Sequence, residues 1–269
     1  MIKSILYHEN NRKHPYIPQE DAYATYRDIY VVADGVTHDK TEDDLYPIPS
    51  DSAKVAQIIC DELTEYLKDK KPTLESVKEA YLNANHKVQS FNEVRPLYQN
   101  RENNGFTIGA ATSATIWLDD NKLLYGVIDD CFISIFSDDY VDHPMLKSYV
   151  EQSAKFLDSN YNWSNPETRK LWRKEIRNNV YVKDGKEYGY GVIDGRDGFI
   201  KYLQLGEVEL KPDDLICVYT DGFIKMLQNT DFVKGLREQP FSAETYEYIK
   251  SWSEKLDVYK EKTAYFIKH

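Results

Sequence analysis

Two stretches decide the reading of this chain: Ile29-Tyr30-Val31-Val32-Ala33-Asp34-Gly35 and Leu215-Ile216-Cys217-Val218-Tyr219-Thr220-Asp221-Gly222. Each is a β-rich, mostly apolar run of strand length, and each runs straight into Asp-Gly. Asp-Gly also occurs at 184–185, 194–195 and 197–198, where the surroundings read as ordinary turns. The first two differ because they set a carboxylate at the end of a buried strand, beside a glycine whose backbone can approach a ligand closely. Burying such a carboxylate is costly unless a cation pairs with it. A third apolar strand, Tyr125-Gly126-Val127-Ile128, ends in Asp129-Asp130, and Glu20-Asp21-Ala22-Tyr23 lies just upstream of the first stretch. Strand-end carboxylates with no His/Cys ligand pattern point to Mg²⁺ or Mn²⁺, which favour oxygen ligands. Water held by such ions becomes a nucleophile near neutral pH, and two ions can clamp an in-line phosphoryl displacement.

Working outward, residues 3–7 read as a further strand. Residues 51–68 read as a helix capped by Ser50, with Val55, Ile58, Ile59, Leu63, Tyr66 and Leu67 on one stripe. A second helix is expected from Leu74 to Val94, stopped before Pro96. The period then changes to that of strands at 109–118, 123–128 and 132–137, read as an antiparallel meander. Residues of about 140–195 read as an irregular insertion or flap, with two short helices, the second around Pro166–Arg177. Strands are expected at 199–204, 207–210 and 215–219, helices near 222–228, 231–237 and 242–255, and a closing strand at 264–267. There are no repeats and no low-complexity linker, so residues 1–269 are read as one domain. The order predicts two packed sheets with helices outside, not a doubly wound sheet.

Composition narrows the function. The 269 residues carry a net charge of −11, which argues against a nucleic-acid partner, because phosphate backbones call for a basic face. The 41% apolar content suffices for a core. No stretch approaches the roughly 20 apolar residues of a membrane span, and Met1–Glu9 has no signal-peptide character. The expectation is a cytoplasmic protein with no membrane partner. Cys60, Cys131 and Cys217 are few, odd in number and unpaired in spacing, which fits a reducing compartment and disfavours a disulfide framework or zinc cluster. Gly189-Tyr190-Gly191 lacks phosphate-loop spacing, and the usual serine hydrolase, zinc protease and redox signatures are missing.

Taken in order, the motifs resemble the metal-dependent Ser/Thr protein phosphatases of the 2C type (the PPM family), with this chain a divergent member. The resemblance rests on Gln19-Glu20-Asp21-Ala22-Tyr23, Val31-Val32-Ala33-Asp34-Gly35-Val36, Ile108-Gly109-Ala110-Ala111-Thr112, Ile128-Asp129-Asp130-Cys131, Tyr219-Thr220-Asp221-Gly222-Phe223 and Glu261-Lys262-Thr263-Ala264. It implies an α+β fold: a four-layer αββα sandwich of two antiparallel sheets flanked by helices. It also implies hydrolysis of phosphoserine or phosphothreonine in a phosphorylated protein, by in-line attack of a hydroxide bridging two or more Mg²⁺ or Mn²⁺ ions. Asp34 would bridge two ions, the Gly35 carbonyl would bind one, Asp221 would ligate the second, and Asp21 and Asp130 would hold metal-bound waters.

The departures matter as much. Where the family carries its last Asp ligand, three residues before Thr263, this chain has Lys260. An ammonium cannot ligate a cation, so Glu261, one residue along and one methylene longer, is the expected replacement as ligand of the second ion, beside Asp221, with Lys260 turned outward or toward the substrate phosphate. Where the family carries a phosphate-binding Arg, this chain has Tyr16; Arg12 is the expected substitute, because a guanidinium matches phosphate bidentately. His38 is the candidate proton donor to the leaving oxygen. The acidic run Thr41-Glu42-Asp43-Asp44 is read as a solvated loop. These departures keep two alternatives open: a catalytically impaired phosphatase-like binding or regulatory module, and a small-molecule phosphatase.

Overall fold

The computed structural model describes residues 3–10, 12, 17–38, 46–95, 108–137, 149, 152–153 and 165–269. Tyr16, the acidic run 41–44, and residues 140–148 and 154–164 of the expected insertion lie outside the described residues. The strands, in chain order, are β1 (Lys3–Asn10), β2 (Ala22–Tyr26), β3 (Ile29–Gly35), β4 (Ala111–Asp119), β5 (Lys122–Ile128), β6 (Cys131–Phe136), β7 (Tyr181–Lys183), β8 (Lys186–Tyr188), β9 (Gln204–Glu209), β10 (Leu215–Thr220) and β11 (Glu261–Lys268). The helices are α1 (Asp51–Leu67), α2 (Leu74–Glu93), α3 (Pro166–Glu175), α4 (Ile224–Leu227), α5 (Thr230–Glu238) and α6 (Ala243–Lys255).

Both quoted stretches are central strands. β3 lies between β2 and β4 in a sheet of order β2-β3-β4-β5-β9, and β10 lies between β11 and β6 in a sheet of order β1-β11-β10-β6. All of these pairings are antiparallel. Successive strand residues face opposite sides, so a strand buried on both faces reads as a continuous apolar run. In β3, Tyr30 and Val32 face the second sheet, where they pack with Ile133, Ile216, Val218 and Tyr265. Val31 and Ala33 face the other way, into a core with Val55, Ile59 and Leu63 of α1 and Val77, Tyr81 and Val88 of α2. Beyond the second sheet, Cys217 and Phe266 pack with Phe232 and Leu236 of α5 and Ile249 of α6. Three stacked cores make four layers, as the motif order implied.

The helix ends follow their capping chemistry. The Ser50 side chain accepts from the Ala53 N–H and the Thr73 side chain from the Ser76 N–H, each cap worth about 1 kcal/mol. No helix among the described residues is long and apolar enough to cross a membrane.

Two expectations need correction. The meander over 109–137 is broken: β6 does not pair with β5 but crosses to the other sheet and pairs with β10, while β9 takes the edge of β5. The crossing is made at Asp129-Asp130, with Asp129 at φ +41°. It is driven by burial, since Cys131, Ile133 and Ile135 pack against Ala114, Ile116 and Val127 across the sandwich rather than beside them. Second, the strand expected at 199–204 is a 3₁₀ turn over Asp197–Lys201, and the strand begins at Gln204. Phe199, Ile200 and Leu203 all join the same core, and their spacing of one and three residues suits a helical turn rather than alternation.

Candidate active site

Antiparallel register gathers the acidic strand ends at one end of the sandwich. Asp34, the last residue but one of β3, lies opposite Thr112 of β4. Thr220, just before Asp221, ends β10 opposite Cys131. Glu261 opens β11 opposite Asn10, the last residue of β1. Asp21 immediately precedes β2, and Asp130 sits in the turn that changes sheets. A cleft of about 360 Å³ has Arg12, Asp34, Asp130, Asp221, Lys260 and Glu261 in its lining.

On the cleft floor, Asp21, Asp34 and Glu261 bring carboxylate oxygens within 4.8 Å of one another. Asp21 is buried. Its Oδ2 accepts the Thr220 and Thr263 hydroxyls, both at 2.8 Å, and its Oδ1 is buried with no hydrogen-bond partner among the described residues. The Thr263 hydroxyl is itself 2.9 Å from His8 Nδ1. Glu261 Oε2 accepts the Glu20 backbone N–H at 2.7 Å, and Oε1 accepts the Arg12 guanidinium. Glu20 is fully buried; its Oε1 accepts the Tyr46 hydroxyl at 2.6 Å and the Ser50 hydroxyl, and its Oε2 has no partner.

Burial is the main force on these acids. It pushes the Asp34 carboxyl well above the usual range, reinforced by the charges of Asp21, Asp221, Glu261 and Asp130. Asp21 is raised likewise by burial and then by Glu261. Glu20 is pushed up to about 7 by burial, against the opposing bonds from Ser50 and Tyr46. Crowded carboxylates of this kind ionise together only when a cation joins them. The all-oxygen donor set and the partnerless buried oxygen of Asp21 fit a hard divalent ion.

The open rim is satisfied differently. Lys260 Nζ lies 2.6 Å from Asp221 Oδ2, with the two side chains 58% and 35% exposed. Of the two orientations the sequence allowed, outward or toward the substrate phosphate, Lys260 takes one that lines the cleft, where it is the ion-pair partner of Asp221. Glu261 faces inward and is grouped with Asp21 and Asp34, not with Asp221 as expected from the sequence, because opening β11 on the floor sets its carboxylate beside them. Arg12 reaches the cleft, with one arm on Glu261 and its Nη1 buried without a partner. Gly35 is needed for space: a Cβ there would lie 2.9 Å from the Glu20 backbone oxygen and 3.1 Å from the Ser52 carbonyl carbon.

His38 is placed elsewhere. Its Nε2 accepts the Ser52 N–H at 3.2 Å and lies 3.0 Å from the Ser52 hydroxyl, which donates to the Val36 carbonyl at 2.7 Å. This ring nitrogen is engaged with the first turn of α1, and His38 is not among the described residues that line the cleft. Sequence reading also missed the supporting set of Glu20, Tyr46, Ser50, Thr220 and Thr263. The adjacency of Glu20 to Asp21 and of Thr220 to Asp221 was the only visible signal.

The sequence pattern of the family described as Protein phosphatase 2C matches residues 12–257. The chain belongs to the protein phosphatase 2C family. Its activity is accordingly that of a metal-dependent phosphatase of phosphoserine and phosphothreonine, and Mg²⁺ or Mn²⁺ is the cofactor class that the floor carboxylates suit. No curated protein is similar enough in sequence to count as a relative. Among solved structures, this phosphatase is similar in fold to the Mycobacterium tuberculosis serine/threonine phosphatase PstP/Ppp, at 14% identity and a TM-score of 0.68, over 99% of this chain and 98% of that one. A structure of the PstP catalytic domain in complex with two manganese ions matches at 13% identity and a TM-score of 0.65, over 100% and 99%. The S. agalactiae serine/threonine phosphatase matches at 12% identity and a TM-score of 0.68, over 99% of both chains. Identities this low carry the fold, while the 2C family match carries the activity.

Proposed function

We propose that this phosphatase hydrolyses phosphoserine and phosphothreonine in protein substrates with strict dependence on added Mg²⁺ or Mn²⁺. The observation that supports the reading is the floor cluster: three carboxylates within 4.8 Å, one with a buried, partnerless oxygen. Asp21, Asp34 and Glu261 would hold a divalent ion, with Asp130, Asp221 and the Gly35 carbonyl at its cleft-facing side. Bound there, the ions supply Lewis-acid charge and lower the pKa of water. Every other part of the work falls to the chain itself. Thr220 and Thr263 hold Asp21 by two hydroxyl bonds, so its remaining oxygen is pre-aimed. Arg12 ties Glu261 from the cleft lining, where a guanidinium suits a phosphoryl oxygen. Gly35 lets the Glu20 backbone close against β3.

The segment 165–195 serves as a flap beside the cleft in this reading. Trp172 of α3 and Ile176, which caps that helix, pack with Ala110, Tyr190 and Val192, and Arg173 donates to the Thr37 carbonyl at 2.8 Å, next to the cleft lining. The decisive experiment is hydrolysis of a phosphothreonine peptide and of p-nitrophenyl phosphate by chelator-stripped protein, with and without Mn²⁺. Activity should appear only on metal addition. Undiminished turnover in excess chelator would remove the reading.

A further inference from the structure

Asp221 already has a cation. Lys260 Nζ is 2.6 Å from its Oδ2, in the same cleft as Asp34 and Asp130. The floor group differs, because Asp21 keeps a buried oxygen with no partner. Lys260 directly precedes β11, whose first residue, Glu261, is buried on the floor, so the root of the lysine is held while its side chain is 58% exposed. The ammonium can swing into water without unpacking any core residue. A divalent ion at Asp221 would compete for the oxygen that the ammonium now holds, and it would be repelled by that ammonium if both remained.

We propose that Lys260 is a tethered competitor for the divalent ion at Asp221. The floor fills first, and loading at Asp221 requires the ammonium to be displaced, so the ions bind with well-separated affinities. This deepens the metal-dependent reading above and rests on it. It also makes catalytic loading sensitive to divalent-ion concentration in a second, weaker phase, set by a residue of this chain.

The test is titration of metal-free protein with Mn²⁺, read by calorimetry and by the electron paramagnetic resonance signal of unbound Mn²⁺. Wild type should show a tight and a weak ion. Lys260→Ala should tighten the weak constant by roughly tenfold or more, since a unit charge a few ångströms from a divalent ion is felt even in water, and should leave the tight constant unchanged. Lys260→Arg, which keeps the charge, should keep the constants apart. Because the side chain is exposed, neither variant threatens folding, and circular dichroism checks this. Indistinguishable constants in wild type, or a weak constant that Lys260→Ala does not move, would overturn the proposal while leaving metal dependence standing. No Mn²⁺ binding at all would instead remove the metal-dependent reading, and the proposal with it.

Discussion

β3 and β10 end alike in sequence, as an apolar run, then Asp, then Gly, yet the two ends are built to different purposes. At Asp34-Gly35 the chain stays extended, pairs with β4 and donates the Gly35 N–H to the Glu20 carbonyl at 3.2 Å. At Asp221-Gly222 it turns at once into a 3₁₀ turn that leads to α4. Neither glycine has positive φ, so both are there for space. A Cβ on Gly222 would meet the Glu261 carbonyl oxygen at 2.2 Å, whereas on Gly35 the nearest atoms are at 2.9 Å. The carboxylates part company too: Asp34 is crowded by other acids, while Asp221 holds an ammonium. A local sequence pattern thus marks where a carboxylate will stand, and the neighbouring strands decide whether it meets like or opposite charge.

The largest test of this contrast is removal of charge from the crowded end. Asp34→Asn should lower turnover by more than ~10²-fold, the scale expected when a metal-holding, transition-state-facing anion is lost, with the tight Mn²⁺ site lost and circular dichroism retained. A variant keeping more than a tenth of wild-type rate would break the assignment of Asp34 as the centre.

The glycines sharpen the comparison through stability. Gly222→Ala should destabilise by about 1–3 kcal/mol, the usual range for overpacking, seen as a lower urea midpoint. Gly35→Ala should cost less, because its closest contacts are longer. Equal effects would mean that both strand ends relax alike.

A third test uses pH on metal-free protein. Glu20 titrates near 4.5 when unfolded and near 7 when folded, so the native state binds more protons between those values. Stability must then fall as pH rises through that window, and the upward shifts of Asp21 and Asp34 act with the same sign. The urea midpoint should be higher at pH 5 than at pH 7.5 without metal, and saturating Mn²⁺ should flatten or reverse the trend. A metal-free midpoint that rises with pH would mean that the floor acids are not under burial strain.

The smallest expected effect is at His38. With its Nε2 committed to Ser52, His38→Gln should leave the shape of the pH–rate profile unchanged and lower stability by about 1 kcal/mol, the scale of one hydrogen bond. Loss of a limb of that profile would return His38 to proton transfer.

Much of this was legible along the chain. Buried strands announce themselves by unbroken apolar runs, and a carboxylate closing such a run is conspicuous, so Asp34, Asp221 and Asp130 stood out, as did the first two helices and the Ser50 cap. Local spacing could not show that β6 changes sheets, because Asp129-Asp130 reads as a hairpin turn whether the next strand pairs beside β5 or packs across from it. That choice depends on where Ile133 and Ile135 find apolar partners.

The pairings of the site were settled one level higher. Arg12 meets Glu261 across 249 residues and Lys260 meets Asp221 across 39, contacts that exist only because β1, β10 and β11 lie side by side in a particular register. Composition and periodicity act over a turn or a strand, and so they specify which residues are buried and where chains of apolar side chains stop. Which charge then faces which is a matter of ångströms between distant segments, and only the packed sheets set those distances.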